Sequence, residues 1–162
     1  MNALRANPAV ALLVLRVGLG LSLFLRHGVE KLTGFSEMAT RFPDPFHMGR
    51  VPSLVIALLS DAVASLLIVS GAGTRFAAAY VAGNVAVAWL FVHHLEFFGP
   101  QAEHGELCAL YVCGALTIAL AGAGPYSVDA MLRRRAGATE GLAANATTLS
   151  RRSGAAEPPT TY

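Results

Sequence analysis

Residues 9–35, AVALLVLRVGLGLSLFLRHGVEKLTGF, decide the fold of this chain. The stretch is apolar on almost every face for about 18 residues, whereas a helix on the surface of a soluble protein is apolar along one stripe. That length is close to what a helix needs to cross a bilayer. The stretch therefore predicts a first membrane-spanning helix that begins near Pro8 and ends near Arg26, or continues to Lys31.

Arg16 is the anomaly of this helix, because a charge near the bilayer centre costs about 3 kcal/mol unless a partner or water receives it. The second apolar segment carries an opposite charge, Asp61. Counting from the expected ends of the two helices at 1.5 Å per residue places Arg16 and Asp61 at depths that differ by about 3 Å. We predict that they form an ion pair, with Asn84 of the third segment as a third member of an intramembrane polar network. The alternative is that Arg16 does not pair with Asp61 and its guanidinium instead extends to the membrane interface or contacts water.

The remaining chain continues this pattern. Of 162 residues, 54% are hydrophobic and 14% are charged, and the mean hydropathy of +0.53 is atypical of soluble domains. Three further spans are expected over residues 52–71, 76–95 and 106–123, followed by a short surface helix over 127–135. Residues 136–162 are poor in large apolar side chains and predict a disordered tail. The sequence thus predicts an all-α, four-helix transmembrane bundle, formed by residues 1–135.

Charge and cysteine content narrow the partners. A formal charge of +2 does not favour nucleic acid, so the expected partner is the lipid bilayer. Seven Lys and Arg residues fall on the side that holds both termini and four on the other, which predicts cytoplasmic termini. Cys108 and Cys113 lie about 140° apart on a helix, which favours two core residues over a redox dithiol.

Polar side chains gather at the opposite side of the predicted bundle. A helical wheel places Arg16, Gly20, Leu23 and His27 on one face of the first span, and Gly18 and Gly20 are expected to allow close helix packing. His27 and Lys31, together with His93 and His94 at the end of the third span, form a candidate quinone or proton site, because a quinone headgroup needs hydrogen-bond donors beside an apolar groove. The wheel points His93 nearly opposite to Asn84, so at most one of the adjacent histidines can join a cavity at Asn84.

Two other interpretations of these residues stay open. The candidate ligands of a metal or haem at this side are His27, His93, His94, Glu96, Glu103, His104 and Glu106. Their spacing forms no H-x-x-x-H or H-x-x-E-H run, so a metal or haem is not favoured. Interfacial histidines also commonly serve structure alone.

Several short motifs, in this order, resemble the DoxX family. They are Arg16-Val-Gly18-x-Gly20, His27-Gly28-x-x-Lys31-x-x-Gly34-Phe35, the acidic Asp61, Gly73-Thr74-Arg75, Val92-His93 and Gly124-Pro-x-Ser127-x-Asp129. Asp61 stands where the family usually has glutamate, and His94 and Glu96 alter the loop after the third span. The resemblance covers residues 10–132.

The resemblance implies a bacterial inner-membrane protein linked to redox assemblies, such as the small subunit of thiosulfate:quinone oxidoreductase, and supplies no catalytic residue set. The sequence carries no flavin, nicotinamide or iron–sulfur fingerprint, so electrons would come from a partner protein. We therefore expect a membrane subunit of an oxidoreductase complex that contacts quinone. The alternatives are an assembly or anchoring subunit without chemistry and, less favoured, a small carrier or channel.

Overall fold

The computed structural model describes residues 7–98 and 102–140, except for the side chains of Ala102 and Glu103. Within these ranges there are no strands, and four helices are long and apolar enough to cross a membrane. They are Pro8–Thr33, Arg50–Ser70, Thr74–Val92 and Ala102–Ala121, called the first to fourth spans below. The prediction of an all-α, four-span bundle is confirmed, and the chain is a multi-pass membrane protein.

The helix boundaries refine the predicted ones. The first span continues to Thr33, and a short helix, Phe35–Arg41, follows it in the stretch between the first two spans. Residues 128–140 are helical, so the predicted surface helix runs five residues into the predicted tail. The rest of that tail, 141–162, lies outside the described residues. We call the end of the bundle at Pro8 and Thr74 the proximal end, and the end at Thr33 and Val92 the distal end.

Glycines set the distance between the first and second spans. A side chain at Gly20 would place its Cβ 2.7 Å from the Ser65 carbonyl oxygen, and one at Gly28 would place it 2.6 Å from the Asp61 carbonyl oxygen. Both glycines therefore let the two backbones touch, as small residues do in membranes. The prediction of close packing is wrong for Gly18, whose Cβ position has no neighbour within 4 Å in the part of the chain that the structure describes.

The proximal end is closed by Asp129. Its carboxylate accepts hydrogen bonds from the Gly73 amide (2.8 Å) and from the Thr74 amide (3.1 Å) and hydroxyl (3.2 Å) at the start of the third span. Burial acts to raise the pKa of Asp129, but these hydrogen bonds, with the Arg133 charge, outweigh it and hold that pKa below its ordinary value. Two of the family-like motifs, those containing Gly73 and Asp129, thus serve structure at this end.

Three of the four spans contain a π-helical segment. These segments are Phe24–Gly28, Leu59–Ala64 and Ala88–Val92. A π segment inserts one residue per turn and rotates every later side chain relative to an ideal α-helix, and such segments are frequent at functional sites. All three contribute side chains to the wall of the cavity described next.

Candidate functional site

A cavity of about 220 Å³ lies in the distal half of the bundle, and all four spans contribute to its wall. Each of the three π segments places at least one side chain there: His27, Asp61 and the pair Ala88 and Val92. The full lining is Leu23, His27, Lys31, Phe42, Pro43, Asp61, Asn84, Val85, Ala88, Val92, His93, His104, Leu107, Cys108 and Tyr111. The cavity brings together residues that the sequence assigned to two separate sites.

Asp61 forms a buried ion pair with Lys31 rather than with Arg16. The Lys31 Nζ to Asp61 Oδ2 distance is 2.8 Å, and the two side chains are only 11% and 7% exposed. The predicted Arg16–Asp61 pair is therefore wrong. The reason lies in side-chain direction, since side chains lean towards the N-terminus of their helix. On these antiparallel spans the side chains of Arg16 and Asp61 lean apart, whereas those of Lys31 and Asp61 lean towards each other.

Arg16 instead forms hydrogen bonds with two segments at the proximal end of the bundle. Its side chain is fully buried, and its guanidinium donates to the carbonyl oxygens of Ile68 (3.2 Å) and Tyr126 (2.6 Å). Ile68 lies in the last turn of the second span, where carbonyl groups lack helical partners and carry partial negative charge. The arginine thus stabilises the end of one span and the segment before residues 128–140, and no carboxylate in the described part of the chain lies within salt-bridge distance of it.

Asn84 and His93 both line the cavity, although the helical wheel placed them on nearly opposite faces. The π segment Ala88–Val92 lies between them and turns His93 towards the Asn84 face. His94 lies outside the lining, is exposed, and has a left-handed backbone with φ of 50°. One of the two adjacent histidines therefore joins the cavity, and it is His93.

Aromatic and imidazole rings complete the distal wall. The rings of His93 and His104 are stacked with centroids 5.3 Å apart, and the His27 ring meets the Tyr111 ring edge-on at 6.3 Å. Burial, and then the neighbouring His104 and His94, lowers the pKa of His93 from its ordinary value. His93 is therefore a neutral imidazole at pH 7, able to donate one hydrogen bond and accept another.

Two buried polar atoms of the cavity wall have no hydrogen-bond partner in the described chain: Asp61 Oδ1 and His93 Nδ1. Buried polar atoms are usually satisfied, and an unsatisfied one costs about 1–3 kcal/mol. One carboxylate oxygen of Asp61 is thus held by Lys31 while the other remains available as an acceptor. The arrangement can bind a small polar ring that offers both acceptors and donors.

The segment between the first two spans covers the cavity. Phe42 and Pro43 line it, and Asp44 directly after them accepts hydrogen bonds from the amides of Met48 (3.0 Å) and Gly49 (2.8 Å) and from the Ser53 hydroxyl (2.9 Å). Asp44 therefore ties this segment to the start of the second span. The sequence indicated an interfacial segment here but gave no sign that it covers a site.

Sequence reasoning also missed Cys108 and Tyr111 as members of the wall. They follow His104 at intervals of four and seven residues, the spacing of one helix face, which is the signal that could have identified them. Tyr111 is held by a hydrogen bond with Ser22 (2.7 Å). Cys108 is half-buried, whereas Cys113 is exposed, so the prediction of two core cysteines is wrong for Cys113.

Within residues 7–98 and 102–140, no three His, Cys, Asp or Glu side chains are placed to share a metal ion. Of the other candidate ligands, His104 lines the cavity, whereas Glu96 and Glu106 do not. The side chain of Glu103 lies outside the described part of the chain.

Comparison with known proteins identifies the family. The DoxX family model matches residues 11–94, which include the cavity residues of the first three spans. A Haemophilus influenzae protein described as uncharacterized is 30% identical over 134 residues, which cover 79% of this chain and 87% of the relative. A second such protein from the same organism is 32% identical over 112 residues, covering 66% and 80% of the two chains. No solved structure matches the chain significantly. The chain therefore belongs to the DoxX family.

Proposed function

We propose that this protein is an inner-membrane subunit of an oxidoreductase complex and that its cavity binds a quinone headgroup. The observation that carries the proposal is the buried Lys31–Asp61 pair, whose Asp61 Oδ1 has no hydrogen-bond partner among the described residues and lies at a cavity of about 220 Å³. This volume is below the roughly 300–1,000 Å³ of sites for drug-sized ligands and suits a single substituted ring.

The polar groups of the wall match both redox states of such a ring. Lys31 and Asn84 can donate hydrogen bonds to quinone carbonyls, and Asp61 Oδ1 can accept one from a quinol hydroxyl. Reduction of a quinone takes two electrons and two protons. The neutral imidazole of His93 can accept a proton at one ring nitrogen and donate the proton of the other. The electrons would come from a partner protein, because the sequence carries no redox-cofactor fingerprint.

The core below the cavity disfavours the carrier or channel alternative. Most of the buried side chains on the proximal side of Asp61 are apolar, and Ile68, Ala78, Val81 and Ile118 are each 0% exposed. The polar ones, Arg16, Ser65 and Thr74, already donate hydrogen bonds to backbone carbonyl oxygens or to the Asp129 carboxylate. A transported ion or polar solute would need a chain of polar partners through this layer. A cavity confined to the distal side of this layer fits a headgroup site better than a route across the membrane.

Purification in mild detergent, followed by mass spectrometry of proteins and extracted lipids, tests the proposal. We expect a quinone to co-purify with the wild type together with a redox subunit, and the quinone to be lost in Asp61→Asn, which removes the charge from the unpartnered acceptor. Glu37→Gln is the matched control, because Glu37 is an exposed carboxylate paired with Arg41 outside the cavity. A wild-type protein without quinone or redox subunit would leave the anchoring role instead.

The same proposal places both termini in the cytoplasm, following the distribution of Lys and Arg. The cavity would then lie near the outer face of the inner membrane. Cysteine-accessibility labelling of a residue introduced beside exposed Glu37 in intact cells tests this orientation, with labelling by a membrane-impermeant maleimide as the expected result.

A further inference from the structure

A second, apolar groove of about 370 Å³ adjoins the polar cavity. It lies between the second and third spans, and the loop residues Pro45, Phe46 and Met48 form its distal edge. Two of its three polar members, Ser53 and Tyr80, already donate hydrogen bonds, to Asp44 Oδ1 (2.9 Å) and to the Ile56 carbonyl (2.8 Å), and the third, Asn84, lies at the boundary with the polar cavity. The groove therefore presents an essentially apolar surface to an occupant.

Three residues belong to both spaces. Asn84, Ala88 and Val92 of the third span line the polar cavity on one side and the apolar groove on the other. Two of them lie in the π segment Ala88–Val92. The polar space therefore adjoins, at these three side chains, an apolar space that faces the outside of the bundle, where Phe46, Met48 and Ile56 are exposed.

We propose that this groove holds the isoprenoid chain of the ligand whose headgroup occupies the polar cavity. The inference rests on the proposed quinone function and specifies its substrate class: a membrane quinone with a polyisoprenoid chain, entering between the second and third spans. A polar space and an apolar space that meet at Asn84, Ala88 and Val92 match an amphiphile with one ring and one chain, whose chain would leave the ring across this shared boundary.

The contribution of the groove is steric. Inside a bilayer the chain leaves lipid that is as apolar as the groove, so burial there supplies little net affinity. The groove instead gives the chain a place outside the polar wall while the ring reaches Asp61. Filling the groove should therefore exclude a chain-bearing ligand and spare a ring without a chain.

Gly83 offers the variant for this test. It lines the groove, and no atom of residues 7–98 or 102–140 lies within 4 Å of its Cβ position, so Gly83→Leu can fill the groove without a clash at Cβ. Gly18→Leu is the matched control, because Gly18 is also helical, exposed and without neighbours within 4 Å, but lies on the first span outside both spaces. Ala79→Leu is a second groove variant. Thermal unfolding of each purified variant verifies that it is folded.

The probes are a benzoquinone that carries two isoprene units and the same ring without a chain, and binding is followed by quenching of Trp89, the single tryptophan. We expect the wild type and Gly18→Leu to bind both probes. Folded Gly83→Leu and Ala79→Leu should bind the chain-bearing probe at least about tenfold more weakly and the bare ring as the wild type does.

Unchanged binding of the chain-bearing probe to both groove variants would overturn the inference while leaving the proposed function standing. Equal loss of both probes in folded groove variants would overturn it too, because the two spaces would then not act separately. Retention of both probes with loss of a co-purifying phospholipid would assign the groove to a lipid acyl chain and likewise refute the inference. If the wild type binds neither probe, the proposed function itself fails.

Discussion

Breaking the Lys31–Asp61 pair is the most informative perturbation of this bundle. Each side chain is almost fully buried, and Lys31 Nζ is the one cation within salt-bridge distance of Asp61 in the described part of the chain. Removal of one partner from a buried pair costs roughly 3–5 kcal/mol, because it leaves an uncompensated charge. We expect the lower end, about 3 kcal/mol, for Lys31→Met or Asp61→Leu, since the adjoining cavity has room for water beside the remaining charge. The double variant should return to within about 1 kcal/mol of the wild type.

The assay is equilibrium unfolding in mixed detergent and SDS micelles, followed by circular dichroism, for the wild type, both single variants and the double variant. A second cycle with Arg16→Met and Asp61→Leu is the control. Arg16 bonds the Ile68 carbonyl, seven residues or about 10 Å along the second span from Asp61, so these two effects should add within about 0.5 kcal/mol. Strong coupling in the Arg16 cycle, with additive effects in the Lys31 cycle, would refute the assignment of partners.

Three further outcomes follow from the packing and the electrostatics. Asp129→Ala should lower the free energy of unfolding by about 1–2 kcal/mol, as loss of a helix cap does, and thermal unfolding measures this. Because folding lowers the pKa of Asp129, its carboxylate stabilises the folded state above the ordinary pKa, and this stabilisation is lost as the pH falls through the lowered value. If the wild type and Asp129→Ala lost stability in parallel on acidification, this expectation would be contradicted. Gly28→Ala should destabilise the bundle by about 1–3 kcal/mol through its clash with the Asp61 carbonyl, whereas Gly18→Ala should be neutral or stabilising in the same melting experiment. The His93 imidazole should titrate below its ordinary pKa in histidine-labelled NMR spectra and move upward in His104→Ala; a normal midpoint in the wild type would show that it is not buried as described.

The sequence predicts the architecture well because hydropathy alone identifies spans, and their ends are marked by residues such as Pro8 and Gly71. It also identifies His27, Lys31, Asp61, Asn84 and His93, which the structure brings into one cavity. Residue types carry this information, because polar side chains within apolar helices are costly and so must share a polar space.

Which polar side chains pair with each other inside the bundle could not be predicted in the same way. Counting residues gives the depth of a Cα atom, whereas the pairing of Lys31 rather than Arg16 with Asp61 depends on which way each long side chain leans along its helix. The face of His93 depends on a π segment whose residues, Ala88–Val92, have no composition that distinguishes them from α-helix. Both errors arise from treating each span as an ideal helix in isolation.

The three π segments also change how relatives of this chain should be compared. Each one accommodates a single extra residue, so deleting one residue there would restore a regular α-helix and swing everything beyond it by about 100°. In the third span such a deletion would carry His93 away from Asn84 while leaving the sequence almost unaltered. In homologues, the number of residues between Asn84 and the following histidine therefore decides, as much as the identity of either residue, whether both side chains line the cavity. An alignment gap inside one of these helices indicates that the residues lining the cavity have changed.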